Sequence, residues 1–242
     1  MNRQRPSRVV PSTSRRPASC AQCVQRPRGA FCVLTSGQIG RLAGRACTLY
    51  RKGQIVFHAG APPLACYCVY SGRVKLFRMS PSGQGQIVAV AGPSELLGYQ
   101  SLWTQRPFPV TAEMMDDGYL CVIERSVLCE LVKQSPALGQ ELLRRTALEL
   151  EEAQSQLTDR SFRSARSRLA AALLRLWEGR EAGDTRPLVL SRQDLADIIG
   201  TAQETAIRLL AELKQAKAVS VRGSRISVLR PELLRTRSQP PF

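Results

Sequence analysis

Three cysteines, Cys20, Cys23 and Cys32, stand within the thirteen residues of CAQCVQRPRGAFC. A two-residue gap lets the first two sulfurs turn to the same side of a loop, and thiolates this close can reach one metal centre. Three ligands need a fourth, and no partner lies nearby in sequence. Zinc binding, iron–sulfur chemistry and thiol redox chemistry all stay open on these residues. A thioredoxin-like pair at Cys20-x-x-Cys23 needs a βαβ setting, which the Arg- and Pro-rich surroundings do not offer. The lone His58, in the turn-like FHAG, has no cluster of paired carboxylates around it, which argues against hydrolytic catalysis. In a reduced cytosol a disulfide framework is less expected than a metal or redox site. Cys47, Cys66, Cys68 and Cys129 read as small buried packing residues, Cys66 and Cys68 sharing one face of a strand-like run.

A second stretch, SRQDLADIIGTAQETAIRLLAEL (Ser191 to Leu213), carries a different chemistry. Ser191 stands three residues before Asp194, so hydroxyl and carboxylate can satisfy the free N–H groups of a helix starting near Arg192. Leu195, Ala196 and Ile199 share one face, Gly200-Thr201 interrupts, and apolar spacing resumes at Ala202, Ala206, Leu209, Leu210 and Leu213. The opposite face of the second helix carries Gln203, Glu204, Ile207 and Arg208, three of which can hydrogen-bond to base edges or phosphates. VSVRGSRISV then reads as a hairpin around Gly223, with Arg222 and Arg225 beside the turn. Helix, turn, helix and basic hairpin make a winged helix, the plain alternative being a helical hairpin with a solvated polar face. With Ser191 at its head, the candidate DNA-contacting set is Ser191, Gln203, Glu204, Ile207, Arg208, Arg222 and Arg225.

The elements that position these residues follow from charge and periodicity. The 242 residues carry a net charge of +16, unevenly spread. Residues 1–94 hold fourteen Lys or Arg and no Asp or Glu; residues 95–159 hold five basic against eleven acidic; residues 160–242 hold sixteen against eight. A basic C-terminal module suits the phosphate backbone of double-stranded DNA, although charge alone also fits RNA or an anionic membrane surface. No apolar run approaches the roughly 18 residues of a membrane span, and no signal-like core follows the basic N-terminus. A cytoplasmic protein without a membrane partner is expected.

Residues 1–19, rich in Arg, Pro and Ser, read as a disordered basic arm; 20–39 form the cysteine loop. Over 40–125, short apolar runs such as QIVFHAG, CYCVYSG, VKLF and QIVAVAG alternate with turn residues, as in an antiparallel barrel or jelly roll. From about Ser126 to residue 160 the pattern is helical. Leu143, Thr146, Leu150, Ala153 and Leu157 follow at intervals of three and four, a coiled-coil type of seam bordered by Glu149, Glu151, Glu152 and Asp159. Such a seam is more simply buried against a second copy than against its own barrel, so a homodimer is expected. Residues 161–236 complete the winged helix-turn-helix domain, opened by the helix around Ala165 to Trp177.

KGQIVFHAG (Lys52 to Gly60), VYSGRVKLF (Val69 to Phe77) and ETAIR (Glu204 to Arg208) resemble the barrel repeats and recognition-helix core of the family of the cyclic-AMP receptor protein and the fumarate and nitrate reduction regulator. The resemblance covers roughly residues 20–230. It implies an α+β fold: an N-terminal antiparallel β-roll of cyclic-nucleotide-binding type, a long dimerisation helix and a C-terminal winged helix-turn-helix. The N-terminal cysteines resemble the oxygen-responsive branch, in which a cysteine late in the barrel completes the ligand set; Cys121 in YLCVIERS stands at that place. The resemblance therefore implies that Cys20, Cys23, Cys32 and Cys121 hold a 4Fe-4S cluster that controls dimerisation, with acidic residues along the seam repelling once it is lost. It also implies a palindromic TTGA-type DNA site and RNA polymerase as a partner. The gap from Cys23 to Cys32 is longer than in the best-known member, and Ile207 stands where that branch commonly has serine. Where the cyclic-AMP branch holds ribose and phosphate, this chain reads GPSELLG and RPFPVTA; Gly92 and Glu95 are not read as a nucleotide site, and no cyclic nucleotide is expected. A structural zinc site, or a nitric oxide or general redox signal, is the alternative input.

Overall fold

A computed structural model describes residues 19–42, 47–81, 83–179 and 185–238. The basic arm expected over 1–19 lies, Ser19 apart, outside the described residues. The chain divides into two compact units, one running up to Val74 and resuming over Ala91–Glu141, the other comprising Lys75–Val90 and everything from Leu142 onward.

The cysteine stretch is folded rather than a plain loop. Three 3-10 turns, Cys20–Gln22, Arg26–Arg28 and Ala30–Val33, lead into helix α1 (Ser36–Gly40), whose start is closed by a capping box between Thr35 and Gln38. Ala30, Phe31, Leu34, Ile39 and Leu42 are buried, and the Arg26 guanidinium donates to the Leu34 carbonyl at 2.6 Å. Proline, arginine and glycine break the turns, while the apolar residues between them hold the segment down.

Strands β1 (Cys47–Tyr50), β2 (Ile55–Phe57), β3 (Ala65–Val69), β4 (Val74–Met79), β5 (Gly85–Ala91), β6 (Leu96–Leu97), β7 (Thr111–Met114) and β8 (Gly118–Glu124) form two sheets, with helix α2 (Tyr99–Thr104) between β6 and β7. Their orders are β1-β8-β3-β6 and β2-β7-β4-β5. This is the expected jelly roll, with Val69, Val74, Leu96, Leu97, Ala112, Met114, Leu120 and Ile123 buried. Gly118 sets where β8 begins: a Cβ there would lie 2.1 Å from the Ser71 carbonyl oxygen, so no other residue fits.

The helical region expected as one element over 126–160 is two. Helix α3 (Arg125–Gln134) ends at Ser135, whose backbone is extended, and α4 (Pro136–Phe162) starts directly after it. The residue before a proline is pushed out of the helical region, which accounts for the break. Leu138 and Leu142 of α4 are buried; Leu143, Leu150, Leu157 and Phe162 are exposed.

The second unit continues through α5 (Ala165–Glu178), β9 (Leu188–Val189), α6 (Arg192–Ile199), α7 (Gln203–Gln215), β10 (Val219–Arg222), β11 (Arg225–Val228) and α8 (Pro231–Ser238). Leu169, Leu173, Leu195, Ile199, Ala206, Leu210, Leu213, Ile226 and Leu234 form its buried apolar set. The expected hairpin is β10–β11; β9 adds a third strand against β11, and α8, also not foreseen, contacts α5. Among the described residues no helix is long and apolar enough to cross a membrane.

Candidate DNA interface and thiol site

The start of α6 is closed as its residues dictate. The Asp194 N–H donates to the Ser191 hydroxyl oxygen at 2.9 Å, and the Ser191 N–H and hydroxyl donate to the Asp194 carboxylate at 3.2 and 2.6 Å. Lys75 adds a 3.0 Å ion pair to the other carboxylate oxygen. Burial alone would raise the Asp194 pKa, but the Ser191 hydrogen bonds and Lys75 outweigh it and hold it below the ordinary value. The Ser191 hydroxyl is thus engaged in its own helix cap. At the other end Gly200 takes a left-handed conformation (φ +63°), which glycine adopts without steric cost, and the chain turns into α7. The Arg168 guanidinium donates to the Ile199 carbonyl at 2.9 Å, and Arg166 pairs with Glu212 at 2.6 Å, tying α5 to both helices.

On α7, Ala206, Leu209, Leu210 and Leu213 face inward and Gln203, Glu204, Ile207 and Arg208 face outward. Ile207 is 43% exposed, an apolar residue among polar ones with no intramolecular reason to be there. Arg222 and Arg225 oppose each other across the wing hairpin and are exposed, and Arg192 fixes the tip by donating to the Gly223 carbonyl at 2.9 Å. The geometry offers a helix with three hydrogen-bonding side chains and a methyl-bearing one, flanked by a cationic loop. That is the equipment for reading base edges while gripping phosphates.

The thiols are arranged differently. Strand pairing sets Cys47 opposite Cys121 and Cys121 opposite Cys68, a row across β1, β8 and β3. Cys47 and Cys121 are joined as a disulfide, with Cα atoms 4.1 Å apart. This corrects two expectations, that Cys47 only packs and that a disulfide is disfavoured; the register of β1 on β8 places the two sulfurs together. Cys23, Cys68 and Tyr119 pack against the buried group of Cys47, Tyr70 and Cys121. Burial, then the neighbouring Cys23 charge, raises the Cys20 pKa. Cys32 is exposed. Cys23 is therefore brought to the buried group that contains Cys121, with Cys20 beside Cys23, whereas among the described residues no group of three or more Cys, His, Asp or Glu is placed to hold a metal ion. The donor set suits iron or zinc chemically, but Cys121 becomes available only when its bond to Cys47 is reduced. Cys66 is fully buried, which pushes its thiol pKa strongly upward. Cys68 packs against this group as its sequence reading has it, whereas sequence reasoning missed the pairing of Cys47; only strand register, which depends on distant partners, could have found it.

At the position corresponding to a nucleotide site, the Glu95 carboxylate accepts the Gly92 N–H of its own loop at 2.9 Å. Of the seam residues on α4, Leu143, Leu150 and Leu157 are 71%, 59% and 67% exposed, Ala153 and Thr146 are exposed, and the Thr146 hydroxyl donates to the Leu142 carbonyl at 2.9 Å. Glu152 pairs with Arg175, and Asp159 with Arg163 at 2.9 Å.

A β-roll followed by a long helix and a winged helix defines a DNA-binding regulator, and comparison with known proteins places it further. The cyclic nucleotide-binding domain family matches residues 48–135 and the Crp-like helix-turn-helix domain family matches 167–237. The chain is 30% identical to the anaerobic regulatory protein of Haemophilus influenzae over 183 residues, covering 74% of this chain and 70% of that one. It is 32% identical to the cyclic AMP receptor protein of Thermus thermophilus over 186 residues, covering 77% and 85%. Its fold resembles the solved structure of FixK2 from Bradyrhizobium japonicum, with a TM-score of 0.73 at 24% identity over 81% of this chain and 98% of that one. The chain belongs to the CRP/FNR family, whose members are DNA-binding transcription regulators and not enzymes.

Proposed function

We propose that this regulator works in the cytoplasm as a homodimer on a palindromic TTGA-type site, with RNA polymerase as its partner. We further propose that it senses oxygen through a 4Fe-4S cluster held by Cys20, Cys23, Cys32 and Cys121. The observation that supports the sensing half is the packing of Cys23 against the buried group of Cys47, Tyr70 and Cys121, which brings the N-terminal turns to the strand that carries Cys121. When bound, such a cluster supplies an oxygen-reactive, redox-active centre. The chain's part is mechanical: ligation ties the turns from Cys20 to Cys32 onto β8, and β8 runs through Glu124 directly into α3. Tension or release at Cys121 therefore reaches the helical region by a covalent route.

The dimer proposal rests on Leu143, Leu150 and Leu157, a row of large apolar side chains left open on one protomer. Two such rows covering each other remove that surface from water. Glu152 and Asp159 have arginine partners within the protomer, which lowers the acidic repulsion they contribute across the seam. A two-fold axis then sets the two α7 helices into successive major-groove turns, about 34 Å apart. Arg208 and Glu204 read bases, Ile207 meets a thymine methyl, and Arg222 and Arg225 grip phosphates. No cyclic nucleotide is proposed, since Glu95 is turned to its own loop.

Anaerobic purification with a visible spectrum and iron and sulfide analysis, repeated after air, tests the sensing half. A brown protein that bleaches in air and loses DNA binding is expected. A colourless protein that binds DNA equally well in air ends the oxygen reading and leaves the regulator with another input, zinc content then deciding for a structural metal.

A further inference from the structure

Of the row Cys47, Cys121 and Cys68, only Cys121 enters the proposed cluster. We infer that Cys47 and Cys121 are a reversible thiol–disulfide couple closed by hydrogen peroxide, Cys47 being the resolving thiol that withdraws Cys121 from metal ligation. Closure of the couple stands by itself; the withdrawal from metal rests on the cluster proposed above.

Three features of the β-roll build the couple. Cys47 and Cys121 are direct cross-strand partners joined as a disulfide, with Cα atoms 4.1 Å apart. The pairing cannot slip, because Gly118, which opens β8 and pairs with Tyr50 at the other end of the same ladder, has the Ser71 carbonyl where a side chain would go. Burial limits the oxidant: at 4% and 6% exposure the two residues exclude a bulky disulfide reagent, so only an oxidant as small as hydrogen peroxide is proposed.

The chemistry balances within the couple. The Cys121 sulfur attacks one peroxide oxygen, the O–O bond breaks, and a sulfenic acid and one water form. The Cys47 thiol attacks that sulfur, the S–O bond breaks, the S–S bond forms and a second water leaves. Two thiols and one peroxide give one disulfide and two waters, the sulfurs losing two electrons and the peroxide gaining them. A low-molecular-weight dithiol reopens the bond by exchange. Cys68, facing Cys121 from β3, is the competing partner, and Cys23 lies against the same group. A sulfur held in a disulfide offers a metal no thiolate, so the closed couple removes one ligand from the proposed set.

The full chain, reduced and freed of metal under argon, is treated with hydrogen peroxide in the presence of dimedone and then mapped as peptides without reduction. A Cys47–Cys121 cross-link that dithiothreitol reopens is expected; Cys68→Ser keeps it, and Cys47→Ser replaces it with a dimedone adduct on Cys121. Cooperative denaturant unfolding of both reduced variants checks that they are folded. A link from Cys121 to Cys68 or Cys23 instead, or a Cys121 thiol untouched while Cys20 and Cys32 oxidise, overturns the couple. Cobalt(II) is the metal probe. A thiolate-to-cobalt charge-transfer band is expected in the reduced chain and in reduced Cys47→Ser, and its loss is expected in the peroxide-closed chain. Loss of the band in reduced Cys47→Ser would make Cys47 a ligand and overturn its resolving role. A band in no chain would overturn the withdrawal from metal and the cluster with it, while the cross-link would still decide the couple.

Discussion

The DNA-reading helices and the thiol row are held in place by different means. Helices α6 and α7 are contiguous in the chain, closed at one end by the Ser191–Asp194 box and at their junction by the left-handed Gly200, with Leu195, Ile199, Leu210 and Leu213 inward. Each constraint acts over a few residues. The thiol row draws Cys47, Cys68 and Cys121 from three strands and is placed by their register, with Cys23 packed against it from the N-terminal turns. A locally determined unit has one way to be assembled, whereas a sulfur set among several others has alternative partners. The first suits a fixed reading head; the second suits a switch, because Cys121 can bond to a neighbour or a metal but not to both.

The sharpest way to break that contrast is to damage one region and watch the other. Leu210→Ala, in the buried face of α7, is expected to cost about 2–5 kcal/mol of stability by leaving a cavity. Denaturant unfolding measures this, and the Cys47–Cys121 cross-link should still form under native conditions; a cross-link lost together with helix stability would mean that the two regions are not built independently. Arg208→Ala should leave stability unchanged and remove about 1–3 kcal/mol of discrimination at the base it reads. Arg222→Ala should instead weaken binding uniformly across DNA sequences and lower the salt slope by about one unit. Equal sequence discrimination by the two variants would refute the division between reading helix and gripping wing. Leu150→Asp, on the open seam of α4, should shift the sedimentation profile toward monomer and remove the dependence of unfolding on protein concentration, the protomer itself staying folded because Leu150 is exposed in it.

Legibility follows the same division. The α6–α7 pair could be read from the chain because caps, glycine turn and helical spacing all act within one segment, and the inward and outward faces of α7 lie where its periodicity puts them. The break between α3 and α4 also had a local signal, Ser135-Pro136, overshadowed by helical spacing on both sides. β9 has two residues and takes its identity from pairing with β11, which is too little for any periodicity. Cys47 looked like a packing residue because its bond to Cys121 depends on a register between strands 74 residues apart, and no local pattern encodes it. The likeness to a known family, not spacing, brought Cys121 to the N-terminal cysteines.

The smallest effect tests how local the reading head is. Ser191→Ala removes one cap and should cost about 1 kcal/mol. Asp194 adds a pH signature to the same cap. Its folded pKa lies below the ordinary 3.8, so its charge contributes stability that is fully present above that value and is lost as the pH falls through the folded one. Asp194→Asn should therefore be less stable than the parent at neutral pH, and the gap should close at acid pH, where the parent's own carboxyl is protonated and resembles the amide. Asp197 is shifted the other way, chiefly by burial, so the parent's total acid dependence mixes the two and only the difference between parent and variant isolates Asp194. A gap that stays constant from neutral to acid pH would mean that the carboxylate charge contributes nothing and that the Ser191 hydroxyl closes the helix alone. A gap that closes, with Lys75→Met reproducing part of it, would assign the charge term to the Lys75 pair.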